Sequence, residues 1–201
     1  MVISGDKLYD AVRFIDAMYK DISRLIDTVD GGMQSIDHVS LWGGACYFNG
    51  SKALGYSAAW IPHVFTRVYV PRQAEKTFSA FAFLNIYLTP KHHREPLVHW
   101  GVGRRKSGVD IWLAWNPKLM GAQGPSFLRT GSVDPFEENR ELSTVLEVFR
   151  HAVRPLITMD SAESLEKLVL EPIRSEIVNL PPPAAGPNEE TPPVTPADET
   201  E

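Results

Sequence analysis

The fold depends on the stretch 78-FSAFAFLNIYL-88. Every second residue from Phe78 to Leu88 is apolar, which gives an extended chain one continuous hydrophobic face. The opposite face carries three aromatic residues and one amide: Phe81, Phe83, Tyr87 and Asn85. Alternation predicts a strand with a buried face, and the bulky aromatic residues predict that the second face is covered as well. We therefore expect this strand to lie between two neighbours, inside a sheet.

Three more strands are predicted around it, at residues 62–70, 97–103 and 109–115. Each is a short apolar run that ends near proline, glycine or asparagine. With residues 78–88 they form an antiparallel meander, and residues 45–48 are a candidate fifth strand. The predicted class is α+β, with a four- to five-stranded antiparallel sheet.

The strand at 97–103 places His99, Gly101 and Gly103 on one face. Glycine inside a strand often marks a close approach by another group. Two explanations stay open: Trp112 of the next strand covers the glycines, or they line a pocket closed by the glycine-rich loop at 118–133.

A long amphipathic helix is predicted at the N-terminus. Its apolar residues recur at alternating spacings of four and three from Leu8 to Val29, and Ser4 can cap its start. Gly31 and Gly32 are predicted to end it. The apolar stripe favours packing on the protein's own sheet, with a partner helix as the alternative.

Two C-terminal helices are predicted from capping patterns. Asp134-Pro135 begins a helix that ends at Arg154-Pro155, and Asp160-Ser161 begins a second one. In the second helix, which reaches Ile177, Pro172 must kink or break the backbone.

Residues 180–201 form a separate tail, with seven prolines, five acids and no aromatic residue. Such a segment buries too little surface to offset its chain entropy, so we expect disorder. Residues 1–179 form the predicted single domain. They hold all 20 basic residues and, with five of the 25 acids in the tail, 20 acids. A neutral body argues against broad affinity for nucleic acid.

The compartment is predicted from Cys46 and from hydropathy. As the chain's one cysteine, Cys46 allows no intramolecular disulfide, which suits a reducing cytoplasm. No basic stretch followed by an apolar core opens the sequence, and no apolar run approaches roughly 18 residues, so we expect neither a secreted nor a membrane-spanning protein. We expect a cytoplasmic protein without a membrane partner.

Five basic residues are the candidate binding site. In the predicted meander, the loop after residue 70 and the loop after residue 103 lie at the same end of the sheet. The residues that they bring together are Arg72, Lys76, Arg104, Arg105 and Lys106. A basic rim of this kind binds phosphate groups or an acidic surface, although charged loop tips also serve solubility alone.

Signatures of catalysis are missing from the sequence. It contains no nucleophile elbow, P-loop, dinucleotide-binding glycine motif or zinc-protease motif. His92 and His93 lack a recognisable set of metal ligands, and Cys46 lacks an identifiable base. No catalytic residue, metal or cofactor is predicted.

Three functions follow as expectations. The first is a non-catalytic protein-interaction module, a subunit or adaptor of a cytoplasmic assembly, whose partner is another protein or a second copy. The second is binding of nucleic acid or a phosphorylated ligand through the basic rim. The third is an enzyme of unrecognised type, with its pocket at the glycine face of strand 97–103.

Overall fold

One antiparallel sheet, with helices against one of its faces, forms the described part of the protein. The computed structural model describes residues 4–41, 43–44, 47–48, 64–74, 78–88, 90, 94–107, 109, 137–138 and 146–181. In it the sheet has five strands of three or more residues and two of two residues. The predicted α+β class is confirmed.

The strands are β1 (His38–Ser40), β2 (Tyr47–Phe48), β3 (Val64–Pro71), β4 (Ala80–Tyr87), β5 (Leu97–Arg105), β6 (Glu137–Glu138) and β7 (Leu146–Pro155). Their order is β1-β3-β4-β5-β7-β6, with β2 also paired to β3. Strand β4 lies between β3 and β5, where Phe83 pairs with Val68 on one side and Gly101 on the other. Both of its faces are buried, so the expectation for residues 78–88 is confirmed.

Helix α1 (Gly5–Gln34) and a C-terminal helix cover one face of the sheet. Buried members of this core on α1 are Ile22, Leu25, Ile26, Val29 and Met33, and those on the sheet include Leu84, Ile86, Val98, Trp100 and Val102. Helix α1 runs through Gly31 and Gly32 instead of ending there. A Cβ at Gly32 would lie 2.4 Å from Leu170 Cδ1, so glycine allows the C-terminal helix to approach α1 closely.

The C-terminal helix, residues 162–178, has three parts: α2 (Ala162–Leu165), a π-helical turn (Glu166–Leu170) and α3 (Glu171–Val178). It begins one residue later than predicted, since Ser161 rather than Asp160 is the cap and exchanges hydrogen bonds with Ser164. Pro172 is the second residue of α3 and follows the π turn after Glu171. A wider turn at this point is one way in which a helix accommodates the missing N–H of proline.

The predicted helix from Asp134 to Arg154 is wrong, because this region contains β6 and β7. Its apolar residues suit both periods, and Phe149, His151 and Val153 alternate as in a strand. Strand β7 pairs with β5, the position predicted for strand 109–115. Of that strand only Val109 is described, and it lies outside the sheet. One of the two predicted C-terminal helices therefore exists.

Two predicted segments lie mostly outside the described residues. They are the loop at 118–133 and the tail, of which residues 182–201 are not described. The first tail residues contact the body: Leu180 packs against the core, and the carbonyl of Pro181 accepts a hydrogen bond from Arg104.

Candidate functional site

The five rim cations of the sequence prediction have different surroundings. Strand β3 ends, and β4 begins, at the end of the sheet where β5 ends, and the Arg105 N–H donates to the Ser79 carbonyl at 2.9 Å. Lys76 lies outside the described residues. Arg72 and Lys106 are exposed, and Arg72 Nε lies 3.1 Å from Asp37 Oδ1.

Arg104 and Arg105 are engaged inside the protein. Arg104 is 7% exposed, and its Nη2 donates to the Pro181 carbonyl at 2.6 Å. Arg105 donates to the carbonyls of Phe78 and Val109, and its guanidinium lies 4.9 Å from the centroid of the Phe78 ring. The two guanidinium groups stabilise loops and the chain after the C-terminal helix, which leaves Arg72 and Lys106 as the exposed members of the described rim.

The glycine face of β5 is filled by protein atoms. A Cβ at Gly103 would lie 2.5 Å from the ring of Phe81, its cross-strand neighbour on β4. A Cβ at Gly101 would lie 2.1 Å from the carbonyl oxygen of Arg150 on β7. The aromatic residue that covers Gly103 thus comes from β4, while Trp112 lies outside the described residues. This arrangement favours close packing over a substrate pocket at the two glycines.

His99, beside these glycines, belongs to a buried polar cluster. Its Nδ1 lies 3.3 Å from Asn85 Nδ2, which lies 3.4 Å from the Tyr87 hydroxyl, and the His151 ring centroid is 5.2 Å away. Burial, and to a lesser degree His151, hold the pKa of His99 well below its ordinary value. The imidazole is therefore neutral near pH 7, as expected for a packed core histidine.

A second polar cluster, which the sequence analysis missed, joins α1 to the sheet. Arg67 is 3% exposed and forms an ion pair with Asp30 of α1, and its Nη1 donates to the Gly43 carbonyl at 2.8 Å. The Tyr69 hydroxyl donates to Asp30 Oδ1 at 2.7 Å. A cavity of about 350 Å³ opens beside Asp30 and Tyr69. One feature of the sequence could have revealed this cluster: Arg67 lies inside an apolar strand, and a buried arginine requires a counter-charge.

The N-terminal part of α1 lies beyond the core. All residues from Gly5 to Phe14 are exposed, and we call them the projecting segment. Four large apolar side chains in it are more than half exposed: Leu8 58%, Tyr9 63%, Val12 57% and Phe14 70%. Large exposed apolar groups that cluster on one element are typical of interaction sites.

A groove of about 700 Å³ lies next to the projecting segment, between α1 and residues 156–165. Phe14 lies at one end of it, and its apolar lining includes Met18, Leu25, Leu156 and Met159. Ile157, on the same connection after β7, is 80% exposed. Of the six large apolar side chains that are exposed among the described residues, four lie on the projecting segment, and the other two are Ile157 and, at the end of the C-terminal helix, Val178.

Comparisons with known proteins identify no relative: no protein-family model, curated protein or solved structure matches the chain. The helices of the described ranges include none with a stretch long and apolar enough to cross a membrane. No three His, Cys, Asp or Glu residues among those described are grouped as ligands for a metal ion.

Proposed function

We propose that this protein is a non-catalytic interaction module, a subunit or adaptor of a cytoplasmic assembly, which binds a protein partner through the projecting segment of α1. The observation that carries the proposal is the exposure of Leu8, Tyr9 and Val12, in the part of α1 that extends beyond the protein's own core. Fully burying one such side chain contributes about 1.5–3 kcal/mol, so a partner that covers them gains several kcal/mol.

The structure of the helix supports this use. The projecting segment is continuous with the part of α1 that is held by the sheet, so its side chains are presented on a preformed element. A preformed helix loses less conformational entropy on binding than a segment that must fold first. The filled glycine face of β5 and the neutral, buried His99 favour this proposal over an enzyme of unrecognised type.

The test compares two faces of the same helical turns. Leu8→Gln/Val12→Gln removes the apolar surface, while Asp10→Gln changes the opposite face and serves as the control. Self-association is measured by size exclusion with light scattering, and binding of other proteins by capture from the native host. We expect association with the wild type and the control, and a loss of roughly 30-fold or more with the double variant, since about 2 kcal/mol is removed.

Circular dichroism shows whether the variants remain folded. A wild-type protein that is strictly monomeric and captures nothing would refute the proposal. So would an association that is unaffected by the changes at Leu8 and Val12.

A further inference from the structure

The apolar seam of α1 has the spacing of a helix that pairs with another helix. Residues seven apart form two series: Leu8, Ile15, Ile22 and Val29, and Val12, Tyr19, Ile26 and Met33. A seven-residue repeat with three–four spacing is the pattern of helix-to-helix packing. The sheet and the C-terminal helix bury this seam from Ile22 onward, Tyr19 is half-buried with its ring centroid 5.9 Å from that of Phe65, and the seam is open at Leu8 and Val12. The shape that fits the open part is a second helix.

A flanking stripe of four polar or aromatic residues runs beside the open seam. Its members, at spacings of four, three and four, are Tyr9, Arg13, Asp16 and Lys20. The Arg13 guanidinium lies 5.9 Å from the Tyr9 ring centroid, and Lys20 Nζ lies 2.7 Å from Asp16 Oδ2. Exposed pairs of this kind contribute only about 0–1 kcal/mol, so the side chains are able to exchange partners.

When two α1 helices lie antiparallel, the flanking stripe of one copy is complementary in charge to the same stripe of the other copy. In an antiparallel pair related by a twofold axis, each flank faces the same flank of the other copy. Arg13 then faces Asp16 of the second copy, and Tyr9 faces Lys20 of the second copy. Both pairings require the same axis, between Phe14 and Ile15. In a parallel pair this flank would face the opposite flank of the second copy, which carries Ala11 and Met18 instead of charged residues.

We infer that the partner of the projecting segment is a second copy of this chain, and that two α1 helices pack antiparallel about a twofold axis at Phe14 and Ile15. The inference rests on the proposed function and names the partner in it. The overlap from Leu8 to Asp21 is roughly 20 Å long at about 1.5 Å per residue. It leaves the two sheets at opposite ends of the helix pair.

Charge reversal in the full-length chain tests the pairing, with the dissociation constant measured by sedimentation and light scattering. Arg13→Asp places two acids opposite each other in the homodimer, and Asp16→Arg places two bases opposite each other. Each single variant should raise the dissociation constant at least about 10-fold, because two symmetric contacts change sign. Asp10→Arg, on the outer face of α1, should leave it unchanged.

Restoration is the decisive measurement. The double variant Arg13→Asp/Asp16→Arg recovers both contacts in an antiparallel pair, so its dissociation constant should return to within about threefold of the wild type. An equimolar mixture of the two single variants should form a mixed dimer. A double variant no tighter than the singles, or a wild type that stays monomeric at all concentrations, overturns the inference.

The outcomes also separate this inference from the proposed function. A monomeric wild type that captures a different protein, with capture lost in Leu8→Gln/Val12→Gln, overturns self-pairing and leaves the interaction module standing. Self-association that is unaffected by Leu8→Gln/Val12→Gln and by the charge reversals overturns both the inference and the proposed function.

Discussion

Helix α1 contains two segments with the same apolar spacing and opposite surroundings. In the anchored segment, residues 22–34, Val29 and Met33 are fully buried, whereas Val12 in the projecting segment is 57% exposed. A 30-residue helix is about 45 Å long, and the nine-residue strand β5 is about 30 Å long. An apolar stripe therefore shows which face of a helix packs against other groups, while the extent of the sheet decides which turns stay exposed.

Two ion pairs along α1 differ in the same way. Asp30, near the end of α1, forms an ion pair with the buried Arg67 and accepts a hydrogen bond from Tyr69. Between the two segments, Asp16 and Lys20 form a pair in which both side chains are about two-thirds exposed. Because the first pair is removed from water, breaking it is costly. The second pair is exposed to water, so its net contribution to stability is small.

The largest expected effect comes from breaking the buried ion pair. Asp30→Ala leaves the Arg67 guanidinium buried without its counter-charge, which should lower the free energy of unfolding by about 3–5 kcal/mol. Lys20→Ala removes the exposed pair and should change it by less than about 1 kcal/mol. Urea unfolding at low protein concentration measures both. Equal losses would contradict the difference in burial between the two ion pairs.

A matched pair of valines tests burial alone. Val29→Ala should lower the free energy of unfolding by about 2 kcal/mol, because a fully buried side chain loses most of its apolar contacts. Val12→Ala should change it by no more than about 0.5 kcal/mol, because the side chain is exposed and alanine favours the helix. The measurement is urea unfolding of the monomer. A cost at Val12 that matches the cost at Val29 would mean that the projecting segment packs on its own body.

The smallest effect is a loss of stability at high pH that comes from Tyr69 of β3, which contacts Asp30 of the anchored segment. Burial, followed by the neighbouring Asp30 carboxylate, raises the pKa of Tyr69 well above its ordinary value. Above pH 10 the unfolded chain releases this proton and the folded chain keeps it, so stability falls as pH rises. The slope is at most about 1.4 kcal/mol per pH unit.

Tyr69→Phe removes that contribution. Its unfolding free energy should fall less steeply than that of the wild type between pH 9.5 and 11, by roughly the slope of one proton. Tyr9→Phe, in the projecting segment, is the matched control and should leave the slope unchanged. Identical pH profiles for the wild type and Tyr69→Phe would contradict the assigned role of the hydroxyl.

Local patterns were sufficient for the middle of the sheet and insufficient for its edge. Residues 78–88 alternate without interruption, and a strand with two buried faces is the one element that satisfies them. Around Phe149 the apolar residues fit a helix and a strand equally well, and pairing with β5 selected the strand. Capping residues at Asp134 supported the wrong choice, because a cap stabilises a helix end only where a helix forms.

The candidate sites follow the same division. The basic rim was predicted from the positions of two loops. The backbone does come together at this end of the sheet, where Arg105 bonds to Ser79. The directions of the side chains decided which cations are exposed, because Arg104 reaches Pro181 and Arg105 covers Phe78. The role of the rim in binding stays a prediction, supported among described residues by the exposed Arg72 and Lys106.

By itself, the sequence determined the class of the fold, the central strand and the apolar seam of α1, because each is set by a period that a few consecutive residues reveal. The tertiary structure alone decided that β7 stands beside β5, that Arg67 is balanced by Asp30, and that the seam is covered from Ile22 onward. These outcomes depend on contacts between residues distant in the chain, whose energies no local pattern contains.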